Sequence, residues 1–228
     1  IGWDSNEAVA YHVLAHSILR YASVPVSITP LVLRQLPMTR ERAEYQSTEF
    51  SFSRFLVPYL CGYEGRAIFM DCDQLVRADI AELMALHDPY RAVSVVKHKY
   101  APKPGDKFLG YKQSLYAKKN WSSVMVFENA LCRMLTPQIV NTVSGLYLHQ
   151  FKWLQDDSMI GELPVDWNHL VGEYEPNPEA KLVHFTLGTP CFAKYAHCEF
   201  ADEWHEERRK MLHYNPAGEY ALPEREAA

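Results

Sequence analysis

Asp71-Cys72-Asp73-Gln74 follows the apolar run Ala67-Ile68-Phe69-Met70 without a break. Four apolar residues in a row, behind the turn signal between Gly62 and Gly65, predict a strand buried on both faces. Two carboxylates at the C-terminal end of such a strand lie where open α/β sheets place their ligands. Asp71 and Asp73 offer hard oxygen donors of the kind that magnesium and manganese prefer. The same two residues also read as solvated turn aspartates, and Asp-x-Asp alone does not separate the readings. Cys72 between them reads as a small buried filler, since flanking carboxylates raise a thiol's pKa and blunt its nucleophilicity.

Three other groupings could do chemistry. Gly2-Trp3-Asp4-Ser5-Asn6-Glu7 sits at a strand-to-helix turn, where backbone N–H groups and short polar side chains can meet a phosphate or nucleotide, or simply cap the helix. His184, near the end of the late apolar segment Leu182–Leu187 and ahead of Gly188, can supply a nitrogen ligand or play a structural part. Gln155-Asp156-Asp157 is either a solvated cap or the carboxylate that a group-transfer site needs opposite its metal.

The elements that must position these residues alternate between strand and helix. Ile1–Trp3 reads as the end of a first strand, so a few residues are expected to precede it. A helix follows to about Ala22, with Tyr11, Leu14, Ala15, Ile18 and Leu19 at helical spacing. Short strands are expected at Val26–Ile28 and Leu31–Leu33, then a second helix over Glu49–Cys61. After the Asp-x-Asp strand come a helix at Ile80–Leu86 and strands at Ala92–Val96 and Ser122–Phe127. Thr136-Pro137 opens a helix, Leu182–Leu187 is a late strand, and Ala201–Leu212 a charged surface helix. Lys97–Asn120 has no period and reads as a long loop of the kind that usually has a function. The polar tail over 213–228 reads as loose. This alternation predicts a single α/β domain over 1–228 with a mixed, mainly parallel sheet.

Bulk properties exclude several classes. A chain of 228 residues is one domain of ordinary size. Its net charge of −5 and lack of a basic stripe give no reason to expect nucleic acid. No segment reaches the roughly 18 apolar residues of a membrane span. The five cysteines lack CxxC spacing, which argues against a disulfide scaffold or zinc site and fits a reducing cytoplasm. Peripheral membrane contact through Ala201–Leu212 stays open, although its mixed charge is not the basic amphipathic pattern.

Taken in order, Asp4, Ser51-Phe52-Ser53-Arg54-Phe55, Ile68–Asp73, Ser122–Phe127, Gln155-Asp156-Asp157, Leu163-Pro164 with Trp167-Asn168, and His184-Phe185 with Gly188 resemble the GT-A glycosyltransferases. The likeness is to glycosyltransferase family 8 and its bacterial relatives, over about residues 1–195. It implies a GT-A (Rossmann-like nucleotide-diphospho-sugar transferase) domain. It also implies that Asp71, Asp73 and His184 hold Mn2+ (or Mg2+) against the diphosphate of a nucleotide sugar, a UDP-sugar being the expected donor. Asp4, with Asn6 close by, would read the uracil; Arg54 would help hold the phosphates. Asp156 first, then Asp157, with Gln155, would face the sugar and stabilise its oxocarbenium-like charge. The acceptor would be a carbohydrate or other hydroxyl, with retention of anomeric configuration.

The family's His-Phe-x-Gly-x-x-Lys-Pro-Trp ending reads here His184-Phe185-Thr186-Leu187-Gly188-Thr189-Pro190-Cys191-Phe192. The diphosphate lysine is absent from its place, with Lys194 as a substitute that could reach in. Asn120-Trp121-Ser122-Ser123 stands where Asn-Ser-Gly is usual. Trp121, Trp153 and Trp167 could stack on an acceptor sugar, or fill the core. Two other readings remain: a haloacid-dehalogenase-like phosphatase with Asp71 as nucleophile, and an inactive sugar- or partner-binding domain of the same fold.

Overall fold

The apolar run ahead of Asp71 forms strand β1 (Arg66–Met70), which is buried at its C-terminal end. The computed structural model describes residues 1–41, 46, 48–99 and 116–213. The expected long loop falls largely on 100–115, and the expected loose tail on 214–228, both outside the described residues.

One sheet has the order β1, β4 (Val124–Glu128), β3 (Val93–Val96), β5 (Ile160–Leu163). A second has the order β2 (Gln74–Val76), β7 (Leu182–His184), β6 (His169–Leu170). The sheets are mixed, as expected, but parallel pairing is not the majority among these strands. β4 is antiparallel to both β1 and β3, and β2 is antiparallel to β7. Only β3–β5 and β6–β7 are parallel. Parallel neighbours need a crossover, and β5 reaches β3 through the helices α4 (Pro137–Thr142) and α5 (Gly145–His149); β4 instead reverses direction beside β3.

The opening residues lie along this frame. Gly2 donates to the Met70 carbonyl at 2.9 Å and bridges Leu31 in parallel. A Cβ at position 2 would come within 2.5 Å of the Phe50 ring, so only glycine permits this approach. That bridge is all that forms of the strands expected at Val26–Ile28 and Leu31–Leu33. Leu33–Gln35 is a 3-10 turn instead, and Pro30 has no N–H to give a ladder.

Helix α1 (Ala8–Tyr21) matches its expected span and buries Ala10, Tyr11, Val13, Leu14, Ser17 and Ile18, whereas Leu19, read as inward, is exposed. The helix expected over Glu49–Cys61 contracts to a 3-10 segment, Ser53–Leu56, and one α turn, α2 (Val57–Leu60). Pro58 has no N–H for a helix interior and fits only a first turn. Phe50, Phe52, Phe55 and Leu56 still point into the core, while Tyr59 and Leu60 are exposed. Helix α3 (Ile80–Ala85) is capped by Asp79, which accepts from the Ala81 amide at 3.0 Å.

Helix α6 (Ala201–His213) forms over the expected span with an exposed charged face and one face turned inward. Ala201, Trp204 and Glu207 are buried on one face, and Glu207 pairs with His16 and Arg20 of α1 at 2.6 and 2.8 Å. Trp153 and Trp167 are core residues, 4% and 1% exposed, and not a sugar-stacking surface. Trp121 packs against the same core, with its indole N–H on the His98 carbonyl at 3.1 Å.

Candidate functional site

Strand pairing assembles the site. β1 ends at Met70, just before Asp71, and β2 begins at Gln74, which pairs with His184 on β7. The register is held on both sides of Cys72: the Asp71 amide donates to the Ser123 carbonyl, and the Phe185 amide to the Asp73 carbonyl, each at 2.9 Å. His184 Nε2 thereby comes to 3.3 Å from Asp73 Oδ1. One potential ligand atom from each of Asp71, Asp73 and His184 lies within 4.8 Å of the others, so the predicted trio does meet. Two carboxylate oxygens and one imidazole nitrogen form a donor set that fits manganese or magnesium.

Arg54 is buried among these groups. Its Nη1 contacts Asp71 Oδ1 and donates to the Ser122 carbonyl, both at 2.9 Å, and its Nε donates to the Phe50 carbonyl at 3.4 Å. The guanidinium also lies over the Phe50 and Phe69 rings, 5.2 and 5.1 Å from their centroids. It therefore fixes the position of Asp71. His149 bonds the Ser122 hydroxyl at 2.9 Å, and burial together with Arg54 lowers its pKa to about 3, so it is neutral.

Asp4 is fully buried. One oxygen accepts from the Asn6 amide at 2.9 Å and the Asn6 side chain at 3.0 Å; the other accepts from the Glu49 amide at 3.0 Å. It thus caps the 3-10 turn Ser5–Glu7 and ties the strand-to-helix turn to the segment at residue 49. Glu7, to which the sequence assigned only a capping part, is 1% exposed behind the Asp-x-Asp turn. The Thr189 hydroxyl donates to one oxygen at 3.5 Å, and Cys72 Sγ lies 4.0 Å from the other. Burial first, then the Asp73, Asp4 and Asp71 carboxylates, hold the Glu7 carboxyl well above its usual range. Its position one helical turn after Asp4 was the available signal. Cys72 is fully buried with its thiol pushed up by burial, Glu7, Asp73 and Asp71, as expected of a filler.

Asn168, quoted in the sequence without a role, sits at the centre of the polar network behind His184. Its Oδ1 is 3.0 Å from His184 Nδ1; its Nδ2 is 2.8 Å from Ser123 Oγ and 3.0 Å from His98 Nε2. His98 Nδ1 in turn bonds the Tyr174 hydroxyl at 2.7 Å.

Gln155, Asp156 and Asp157 are exposed. Asp156 caps a 3-10 turn by accepting from the Ser158 amide at 2.7 Å, and the Ser158 side chain, then this amide, lower its pKa. Asp157 pairs with Lys118 at 2.5 Å, on the turn that leads into Ser122 and Ser123. Lys194 is exposed, with Nζ 5.1 Å from the centroid of the neighbouring Tyr195 ring, and no bond described here joins it to Asp71 or Asp73. Gly188 turns the chain just after His184, at φ 149°, with its amide on the Phe185 carbonyl at 2.8 Å.

Comparison with known proteins fits this geometry. Among solved structures, the chain is similar to the bifunctional glycosyltransferase WbbM, with TM-score 0.64, 16% identity, and coverage of 91% of this chain and 48% of that one. It is also similar to the glycosyltransferase GlyE of Streptococcus pneumoniae, with TM-score 0.59, 12% identity, and coverage of 91% and 58%. For the galactosyltransferase LgtC, bound to donor and acceptor sugar analogues, the TM-score is 0.55 with 11% identity and coverage of 91% and 93%. The chain thus spans about half the length of WbbM and most of LgtC. These likenesses establish the GT-A fold. No protein-family model matches the chain. In sequence, it is 44% identical to Protein CDI of Arabidopsis thaliana over 226 residues, covering 94% of this chain and 86% of that protein. The chain belongs to the family of Protein CDI, and its fold is that of the GT-A glycosyltransferases.

Proposed function

We propose that this protein is a metal-dependent glycosyltransferase of the family 8 kind, which moves a hexose from a UDP-sugar to a hydroxyl acceptor with retention. The observation that carries this reading is the meeting of Asp71, Asp73 and His184 at the end of β1 in a GT-A fold. These three residues would hold manganese or magnesium. The cation would supply electrostatic stabilisation for the charge on the departing nucleoside diphosphate.

The remaining roles fall to the chain itself. Arg54 keeps Asp71 in place, and the Asp4-Asn6 turn would read the base. Lys194 and the turn at Gly188 would take the diphosphate, as the family resemblance assigns them. Gln155, Asp156 and Asp157 answer the positive charge that develops on the sugar. The five cysteines are free thiols, which supports a reducing compartment, and no helix among the described residues is long and apolar enough to cross a membrane. The phosphatase reading is not favoured, because Arg54 engages the carboxylate that would have to act as nucleophile.

The test is a screen of UDP-sugars for release of UDP, in manganese and then in EDTA. Cation-dependent release from one donor supports the reading. Turnover of p-nitrophenyl phosphate with no release from any UDP-sugar contradicts it.

A further inference from the structure

The hydrogen bonds behind His184 have only one consistent direction. The Ser123 hydroxyl donates to the Asn120 carbonyl at 2.7 Å, so toward Asn168 its oxygen can only accept. The Asn168 group facing Ser123 at 2.8 Å is therefore its NH2. The second hydrogen of that NH2 points to His98 Nε2 at 3.0 Å, which must then be the bare nitrogen of the ring. His98 Nδ1–H donates in turn to Tyr174 at 2.7 Å. Burial, and secondarily His184, push the His98 pKa down to about 3, in keeping with a neutral ring. With its NH2 so committed, Asn168 has only its carbonyl oxygen to offer His184, and that oxygen accepts from Nδ1–H at 3.0 Å.

A neutral imidazole protonated at Nδ1 has its lone pair at Nε2. That atom faces Asp73 Oδ1 at 3.3 Å, a pair that a cation between them would join. We propose that Asn168 is a positioning residue that fixes His184 as the Nδ1–H tautomer, held in its own orientation by Ser123 and His98, so that bare Nε2 faces the cation position. This rests on the metal-site reading above. Were the amide turned over, His184 would carry its proton at Nε2 and could not act as a ligand. Groups that set a ligand histidine's tautomer in this way commonly tune metal affinity strongly.

The experiment uses protein labelled with 15N-histidine and stripped of metal. Long-range 1H–15N spectra report which ring nitrogen of His184 is protonated, and calorimetry with manganese chloride reports affinity. The expected spectrum has Nδ1 protonated in both His184 and His98, with Nε2 bare in His98. Asn168→Leu should mix the His184 tautomers and weaken manganese binding by about 10- to 100-fold. His98→Gln, which keeps an acceptor for the Asn168 NH2, should retain the tautomer and bind within about 3-fold of the parent protein, well inside that range. A His184 with bare Nδ1 in the parent protein overturns the proposal, as does Asn168→Leu binding manganese undiminished. If Asn168→Leu fails to fold, the parent spectrum alone decides. Nδ1–H His184 in a protein that binds neither manganese nor magnesium leaves the role of Asn168 standing and removes the transferase reading.

Discussion

The guanidinium of Arg54 meets Oδ1 of Asp71 at 2.9 Å, with both residues buried beneath the candidate metal site. Removing one partner of a buried pair leaves an uncompensated charge, which typically costs about 3–5 kcal/mol. Arg54→Met should therefore lower stability by about 3 kcal/mol in EDTA, read by urea unfolding. Manganese should restore part of that loss, because a bound cation takes over the neutralisation of Asp71. Equal unfolding midpoints for Arg54→Met and the parent protein in EDTA would contradict this account of Asp71.

Glu7 gives a prediction in pH. Its carboxyl is held well above the ordinary value of 4.5 by burial and by Asp73, Asp4 and Asp71, so the folded protein binds this proton more tightly than the unfolded chain. The stability it contributes is complete below pH 4.5 and declines as pH rises toward the folded pKa. Glu7→Gln keeps a neutral acceptor for the Thr189 hydroxyl. In EDTA, the stability of Glu7→Gln relative to the parent protein should increase as pH rises above 4.5 toward the folded pKa. Parallel curves across that range would show that Glu7 ionises normally in the fold.

Thiol reactivity checks the packing around the site. Cys61 and Cys191 are exposed, Cys72 and Cys132 are buried, and burial, then Glu128, takes the Cys132 thiol to about 12. With Ellman's reagent at neutral pH, Cys61 and Cys191 should react first, and Cys72 and Cys132 only after unfolding. Modification of Cys72 in the folded protein would mean that the Asp-x-Asp turn opens to solvent.

The parts of the fold legible in the sequence are those with a local cause. Four apolar residues before Asp71 gave β1, and the spacing of Tyr11, Leu14 and Ile18 gave α1. The meeting of Asp71, Asp73 and His184 came from an ordered resemblance across the chain. The expected helix over Glu49–Cys61 broke down because Pro58 limits regular helix to one turn, while burial of Phe50, Phe52 and Phe55 holds the segment in place. Glu7 and Asn168 were missed for a different reason. A carboxyl raised by three others, or an amide oriented by a serine and a histidine, is defined by partners distant in sequence. The three tryptophans illustrate the same limit, since a ring that can stack on sugar is equally suited to fill a core.

The central claim is that Asp71, Asp73 and His184 hold a cation that binds a nucleoside diphosphate. Its most direct test is calorimetric titration of UDP into the protein, in manganese and then in EDTA, with Asp73→Asn alongside. The account predicts manganese-dependent binding that is lost both in EDTA and in Asp73→Asn. UDP binding of equal strength with and without manganese, or none under either condition, would contradict it.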